Sequence, residues 1–407
     1  MSVAVPRRAA AWAPLRHREF RLVWLAFLGV QLANWGETVG AVAVISDRSD
    51  SAALLALVQT ASTVPAVALA LPAGVAADLV DRRTLLIGLV LSMAASMALL
   101  AGTVAAGAAT PAVVLALTVV LGCAIAVAVP AFASLIPDLV PRADLAAAVT
   151  LNGISINLAR ALGPAVAGLI LAFTTASALF VALGVTLAAL GTLLLAIPER
   201  VRRPAGREAQ WWAAMRSGVV WARGSAALRA VLVRGFFYVV PASALWAMLP
   251  VVAVQRLGLE PAAFGGVLAA LGAGAVLGAQ LLPWLRARLG LGRLMTVGSA
   301  CVAVNLVVLG LIDNVPVAVL SIVLSGASWI TVLSSLNTSA QLAAPDWVRG
   351  RALSINQCVF ATGMAGGSAA WGLLADATSL RAALLAAAAL LVASLATARR
   401  WSLAALP

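Results

Sequence analysis

Glu37 is the only acidic residue deep within one of the long apolar runs of this sequence. If such a run crosses a membrane, a charge there costs at least ~2.5 kcal/mol on insertion scales, so it usually faces a cavity or a partner. A carboxyl group in that position can take up and release a proton. Gln31 and Asn34 precede it at a spacing that places all three near one face of a helix. A static ion pair, or a position close to the outer surface, is the alternative interpretation.

Arg160 is the basic residue in a comparable position. It lies about 14 residues into its apolar run, or ~21 Å along a helix, which is near the middle of a membrane. Asn152 and Asn157 belong to the same run. Because arginine does not deprotonate in practice, Arg160 would serve as a counter-ion or as a contact for an anion, and not as a proton carrier.

The second half of the chain has no deep carboxylate, but its apolar runs contain amide and aromatic side chains, among them Tyr238, Asn305 and Trp329. A site made from such residues is largely apolar with a few hydrogen bonds, which suits a bulky amphipathic molecule. Each of these residues taken singly fits ordinary packing as well. The predicted substrate cavity comprises Gln31, Asn34, Asn152, Asn157, Trp246, Asn337, Gln341 and Asn356.

Charged clusters stand at the ends of several apolar runs. An aspartate near a helix end can pair with arginine or accept hydrogen bonds from a helix N-terminus. We call such a contact a latch if it forms in one conformation and breaks in another. A charge cluster that merely orients the chain is the alternative. The predicted latch residues are Gly74, Asp78, Asp81, Arg82, Arg83, Asp138, Arg142, Asp346, Arg349 and Arg351.

Composition identifies the medium in which these residues act. The chain has 407 residues, of which 63% are hydrophobic and 10% charged, and its mean hydropathy is +1.06. A soluble domain carries about 25% charged residues, so lipid must be the solvent. In lipid the backbone must satisfy its own hydrogen bonds, which leaves helices or closed barrels. Continuous apolar runs of ~20 residues favour helices.

The net charge of +13 comes from arginine alone. Nucleic acid is not the predicted partner, because nearly all arginines lie in loops between apolar runs. Only Arg48, Arg256 and Arg381 lie in odd-numbered loops, and Arg160 lies within a span. By the positive-inside rule, this asymmetry places both termini and the central linker in the cytoplasm.

The pattern predicts an all-α integral membrane protein with twelve transmembrane helices in two six-helix pseudo-repeats. The predicted domains are a first bundle over 1–198, a cytoplasmic linker over 199–230 and a second bundle over 231–407. The predicted spans are 22–45, 52–73, 84–105, 111–135, 146–172, 177–197, 231–254, 262–284, 293–312, 315–341, 352–374 and 379–398.

The two halves contain similar motifs at equivalent positions. PDLVPR follows span 4 and PDWVRGR follows span 10, and each leads into a glycine-rich span. Such internal repeats place a substrate site near the bilayer midplane, between halves that rock against each other. A duplicated scaffold without transport is the alternative.

Several segments resemble a known family. Gly74 to Arg83 is similar to the loop 2–3 signature of the major facilitator superfamily, with departures at Leu79 and Asp81. Residues 130–168, 336–376 and 15–24 resemble its transmembrane secretion effector branch, which includes enterobactin-exporter-like proteins. The resemblance covers nearly the whole chain and is specific for fold and branch, but weak for substrate.

The resemblance also concerns span 5. Gly163, Pro164 and Gly168 resemble a helix-packing signature of proton-coupled exporters, with alanine at two usual glycine positions, and this resemblance implies export. Proline removes a backbone donor and glycine permits close packing, so the span can bend or slide. Ordinary helix packing is the alternative. Because spans 1 and 5 are neighbours in the family fold, we hypothesise an ion pair between Glu37 and Arg160 that protonation of Glu37 releases.

Asp346, Arg349 and Arg351 resemble a second latch, opposite Asp138 and Arg142. We expect both sets at the cytoplasmic face, where they break as the cavity opens inward. Cys123, Cys301 and Cys358 are interpreted as buried thiols. We expect no cofactor, metal site or enzymatic activity, since the sequence has no phosphate-binding loop, nucleophile triad or metal-ligand cluster.

The predicted function is secondary active export of a small amphipathic molecule, a drug, siderophore or metabolite, by alternating access with proton antiport. A facilitator or uptake permease of the same fold is the alternative within transport, and a non-transporting scaffold or sensor is the alternative of another class. The predicted partners are a small-molecule substrate, protons and the lipid bilayer. The protein is expected to be a monomer in the bacterial cytoplasmic membrane.

Overall fold

The computed structural model describes residues 12–69, 81–198, 220–345 and 348–401, and these segments are helical without any strand. A short turn of 3₁₀-helix, Ala13–Arg16, precedes the first long helix. The first six long helices are α1 (Arg18–Ser46), α2 (Ala52–Ala68), α3 (Arg82–Ala105), α4 (Pro111–Leu139), α5 (Leu145–Phe173) and α6 (Ala176–Leu193).

The helices of the second half begin with α7 (Ala226–Val251). The next run, Pro261–Leu311, is divided at Gly290, whose φ of 68° lies in the left-handed region that favours glycine. We number its parts α8 (261–289) and α9 (291–311). They are followed by α10 (Val315–Leu342), α11 (Arg349–Ala377) and α12 (Leu380–Ser394). The predicted fold class is therefore confirmed, and the predicted spans lie within a few residues of these helices.

Side chains determine where many of these helices begin. A hydroxyl, carboxylate or amide oxygen accepts a hydrogen bond from a backbone N–H of the first turn, which would otherwise lack a partner. The capping residues are Ser51, Asp81, Thr110, Thr175, Ser225, Asn314 and Ser379. Ser225 explains why α7 begins earlier than the span predicted from hydropathy.

Eight of the described helical segments are long and apolar enough to cross a bilayer, and Pro261–Leu311 is one of them. The apolar helices α2 and α12 are shorter, with 17 and 15 residues. Helix α1 has 29 residues but is less apolar because it carries Gln31, Asn34 and Glu37.

The helices pack as two bundles. In the first, α1 contacts α4, α5 and α6, and α3 packs on α4 and α6. In the second, α7 packs on α11 and α12, and the Pro261–Leu311 run packs on α10 and α12. We call the side where α1 begins and α12 ends the terminal face, and the other side the opposite face. The domain boundaries near 198 and 231 stay a prediction, because 199–219 lie outside the described residues.

Two helix pairs make the main contacts between the bundles, α2 with α11 and α5 with α8. A Cβ on Gly372 would lie 2.7 Å from the Ala56 Cβ, and a Cβ on Gly272 would lie 2.6 Å from the Ala161 Cα. A Cβ on Gly265 would collide with the backbone of Pro164 and Gly168. Because glycine has no side chain, these positions allow the helices of the two bundles to approach closely, as small residues do in membrane helix pairs.

Candidate functional site

Glu37 lies buried inside the first bundle, with 2% of its surface exposed. The Thr118 hydroxyl on α4 donates a hydrogen bond of 2.6 Å to its Oε1. Helices α2, α4 and α6 bring no charged residue to this depth, and Arg160 is the only charged residue within α5. The carboxyl group therefore has a hydroxyl partner in apolar surroundings, where a charge is costly unless it is paired.

Arg160 occupies a different environment. Its guanidinium carbon lies 5.7 Å from the centre of the Trp35 ring, a cation–π arrangement. Its Nε is buried without a hydrogen-bond partner in the part of the chain that the structure describes. The structure does not bring Arg160 into an ion pair with Glu37. Positions 35 and 37 are separated by about 200° around the helix axis, so their side chains lie on different sides of α1.

Aromatic rings connect Arg160 to the second bundle. Trp35 lies 5.7 Å from Trp246 on α7, and Trp246 lies 5.3 Å from Trp329 on α10, measured between ring centres. Trp329 in turn contacts Tyr238 at 5.9 Å and Phe360 at 5.8 Å. We call these five residues the aromatic cluster. It belongs to both bundles, because Trp35 is on α1 and the other four rings are on α7, α10 and α11.

Polar atoms without partners belong to the aromatic cluster or lie one helical turn from it, since Gln31 precedes Trp35 by four residues on α1. Among the described residues, Gln31 Oε1, Tyr238 Oη and Trp246 Nε1 are buried and make no hydrogen bond. Such atoms cost free energy when they stay unpaired, so a bound molecule that pairs with them gains affinity. Together with Arg160, they offer donors and acceptors beside aromatic surfaces.

The other predicted cavity residues are distributed more widely. Asn34, Asn152 and Asn157 are partly exposed, and the Asn157 amide donates to the carbonyl of Gly153. The Asn356 amide donates to the Asn337 Oδ1 at 3.1 Å, so these two residues join α11 to α10. Gln341 is exposed near the end of α10 at the terminal face.

The packing motif of α5 lies at two helix contacts. A Cβ on Gly163 would lie 2.8 Å from the Trp35 Cβ, so this glycine lets α5 approach α1 beside the aromatic cluster. Pro164 and Gly168 approach Gly265 of α8 on the other side. The motif therefore lies between a contact within the first bundle and a contact that joins the bundles.

Part of the predicted latch forms at the terminal face. Arg82 donates to the carbonyl of Ser134 at 3.0 Å and lies 3.3 Å from the Asp138 carboxylate. The Asp81 carboxylate accepts from the Thr84 backbone, and Arg83 donates to the Leu195 carbonyl at 2.7 Å. Arg82 and Asp138 belong to the same bundle. The structure shows this pair formed, and the expectation that it breaks as the cavity opens inward stays a prediction.

The structure describes only some of the other predicted latch residues. Gly74, Asp78 and Asp346 lie outside the described residues. Arg349 begins the backbone of α11, Arg351 follows shortly after it, and Arg142 is exposed.

Three contacts were not predicted. Thr118, a single hydroxyl in an apolar run, gave no signal in the sequence. Arg286 at the end of α8 donates to the hydroxyl groups of Ser334 and Thr338. Asp376 at the end of α11 accepts from Ser51 and from the Ala53 backbone N–H. In the sequence, Asp376 is only the last residue of the segment 336–376 that resembles the family.

The hydrogen bonds that join described residues of the two bundles extend from the opposite face to the middle. Asp376 accepts from Ser51 at 2.5 Å and from the Ala53 N–H at 3.2 Å, and Gln255 donates to the Asp50 carbonyl at 2.6 Å. Thr60 donates to the Ala365 carbonyl nearer the middle. These hydrogen bonds hold the two bundles together at the opposite face.

Cysteines and metal ligands add nothing to this site. All three cysteines are free. Cys301 is exposed on α9, and Cys123 and Cys358 are partly exposed, which corrects the prediction that the three are buried. In the segments that the structure describes, no three histidine, cysteine or acidic residues are grouped to hold a metal ion.

Comparison with known proteins gives the relatives of this chain. The sequence profile of the transmembrane secretion effector family matches residues 9–406. No curated protein sequence matches the chain.

Solved structures share the fold at low sequence identity. A point mutant of the nucleoside transporter NupG has a TM-score of 0.76 at 14% identity, covering 94% of this chain and 99% of its own. A bacterial homologue of the human lysosomal transporter Spinster, inward-facing and unoccupied, has a TM-score of 0.76 at 15% identity, covering 96% and 97%. A D-xylose–proton symporter has a TM-score of 0.68 at 15% identity, covering 92% and 96%.

These structures establish the fold alone, whereas the sequence profile spans nearly the whole chain. The chain belongs to the transmembrane secretion effector family of the major facilitator transporters.

Proposed function

We propose that this protein exports a small amphipathic molecule across a bacterial cytoplasmic membrane by alternating access, driven by proton antiport. The observation that carries the proposal is the aromatic cluster, which is shared by the two bundles and contains unpartnered polar atoms. A site between two repeats, near the middle of the membrane, is where rocking bundles expose a substrate first to one side and then to the other.

The proposed conformation follows from the proposed topology. Arginine-rich loops favour a cytoplasmic terminal face. The hydrogen bonds between the bundles then lie on the external side, so the structure corresponds to an inward-facing state. The structural likeness to an inward-facing Spinster homologue is in keeping with this assignment.

Helix α1 provides the proposed link between protons and substrate. Glu37 faces α4 through Thr118, while Trp35 lies against Arg160 and Trp246. Protonation of Glu37 changes what the Thr118 hydroxyl binds, and a small rotation of α1 moves Trp35 with it. This replaces the hypothesis that a Glu37–Arg160 ion pair is released.

Uptake by the same fold is the second candidate. The observation in its favour is the likeness to a nucleoside transporter and a D-xylose–proton symporter. The direction of proton-linked movement separates it from export.

Inverted membrane vesicles test the proposal. They are prepared with the wild-type protein and given a panel of dyes, antibiotics and siderophores, with the interior made acidic or the gradient collapsed. We expect gradient-dependent accumulation of an amphipathic compound. Movement that ignores the gradient would indicate a facilitator, accumulation only with the opposite gradient would indicate symport, and no movement of any compound would favour the scaffold alternative.

Asp138→Asn tests the latch at the terminal face. The change removes the ion pair with Arg82, which is partly exposed and contributes ~0.2–1 kcal/mol to stability. We therefore expect thermal stability to change little, while transport slows several-fold because one of the contacts between Arg82 and the end of α4 is lost. Asp313→Asn, which removes the partner of Arg256 at the opposite face, is the matched control. Equal transport in wild type and Asp138→Asn would favour a cluster that only orients the chain.

A further inference from the structure

Arg160 differs from Arg234 and Arg286, two arginines that lie within helices of the second bundle. Arg234 donates to the Thr296 hydroxyl, and Arg286 donates to the Ser334 carbonyl and to two hydroxyl groups. The described residues provide no hydrogen bond or ion pair to Arg160, and its Nε is buried. A guanidinium this deep in a membrane protein normally pairs with an acceptor. The acceptor that Arg160 lacks is an anion or a carbonyl oxygen.

A second unpartnered donor lies two aromatic contacts away from Arg160. The indole N–H groups of Trp24 and Trp371 each donate to a backbone carbonyl, at 3.2 Å and 2.8 Å. The Trp246 indole N–H is buried and donates to no described residue. Trp35 lies between the two donors, in contact with both side chains.

In the part of the chain that the structure describes, no carboxylate pairs with the positive charge of Arg160. The only nearby buried carboxyl group among the described residues, Glu37, accepts from Thr118 on the other side of α1. Helices α1, α5, α7, α8, α10 and α11 contribute no described acidic side chain to the aromatic cluster. A cation would therefore meet a like charge without a counter-ion, whereas an anion would complete the pairing of Arg160.

We propose that Arg160, Trp35 and Trp246 form the binding site for an aromatic anion, with Arg160 holding its carboxylate or similar planar acidic group and the indole rings holding its ring. This proposal rests on the proposed function and names the substrate class of that site. The guanidinium donates to the two oxygens of the anionic group in a fork geometry that lysine does not reproduce. The partly exposed faces of Trp35 and Phe360 provide flat apolar surface for the ring system.

Calorimetric titration of the full-length protein in lipid nanodiscs tests this site with three probes of one shape. The probes are 2-naphthoate, neutral 2-naphthol and cationic 2-naphthylmethylammonium. We expect the wild-type protein to bind 2-naphthoate at least tenfold more tightly than either analogue. Binding that favours the cation, or no measurable 2-naphthoate binding, would overturn the proposal.

Variants assign the preference to Arg160. Arg160→Gln is expected to weaken 2-naphthoate binding by tenfold or more and to leave 2-naphthol unchanged. Arg160→Lys keeps the charge and is expected to lose only part of the affinity for 2-naphthoate. Graded loss across the two variants would show that the weaker binding of Arg160→Gln comes from the missing charge and not from a folding defect. Trp246→Phe keeps an aromatic ring, loses the donor and is expected to weaken 2-naphthoate binding several-fold. Arg229→Gln on the exposed side of α7 is the control. Unchanged 2-naphthoate binding by Arg160→Gln would exclude the site.

The outcome is separable from that of the transport experiment, because binding is measured without any gradient. If the protein binds 2-naphthoate through Arg160 but transports none of the tested compounds, the proposed binding site is supported and the proposed function is refuted. Gradient-driven transport of a compound by a protein that does not bind aromatic anions through Arg160 would refute the site alone.

Discussion

Glu37→Gln is expected to abolish the response of transport to a proton gradient. Glutamine has nearly the same size and can still accept from Thr118, but it cannot exchange a proton. If Glu37 carries the proton, the loss corresponds to a coupling free energy of ~1–3 kcal/mol, or about 5- to 150-fold in gradient-driven accumulation. Exchange of substrate across the vesicle membrane without a gradient should continue, because the aromatic cluster is unchanged.

Glu260→Gln provides the matched control for this measurement. Glu260 is exposed at the start of α8, outside the apolar part of the helix, and its side chain does not cap the helix. Both variants remove one carboxyl group, so only a specific role of Glu37 separates them. A Glu37→Gln protein that still accumulates substrate in response to the gradient would show that Glu37 is structural.

Gly372→Leu is expected to prevent closure of the bundles at the opposite face. A side chain at this position meets Ala53 and Ala56 of α2 at less than 3 Å, so α11 must move away. Overpacking costs ~1–3 kcal/mol, and this cost falls on the closed arrangement. We expect the equilibrium to shift towards the conformation that is open at the opposite face, and net transport to fall accordingly.

Spin labels measure this shift directly. Labels at positions 108 and 378 lie in loops of different bundles at the opposite face, after replacement of the three free cysteines. The distance between them should be longer in Gly372→Leu than in the unsubstituted protein. Gly366→Leu is the control, because a Cβ on Gly366 of the same helix meets no atom within 4 Å. An equal shift in both variants would indicate a general disturbance of α11.

The positions of the helices were predictable from the sequence because lipid imposes a simple rule. A segment that crosses the bilayer must be helical and apolar over a fixed length. Each span can therefore be recognised from its own hydropathy, without knowing which helices it packs against. The kink at Gly290 and the shift at the start of α7 are small departures with local causes, a left-handed glycine and a Ser225 cap. The arginine pattern likewise predicts an orientation without any contact being known.

The candidate site was predictable only as a set of residue types. Glu37, Arg160 and Trp246 stood out because polar or aromatic groups in apolar runs are unusual. Their partners did not, since a threonine such as Thr118 or a tryptophan such as Trp35 fits packing as well as function.

Hydropathy and helical rise alone predict how deep Glu37 and Arg160 lie along their spans. Their neighbours, Thr118 for the acid and Trp35 for the arginine, could be known only from the packing of the helices. The physical reason is that a helix presents a new side every residue, and hydropathy does not record which side meets which helix. The closure between α2 and α11 through Gly372 and Asp376 depends in the same way on a contact between residues more than 300 positions apart.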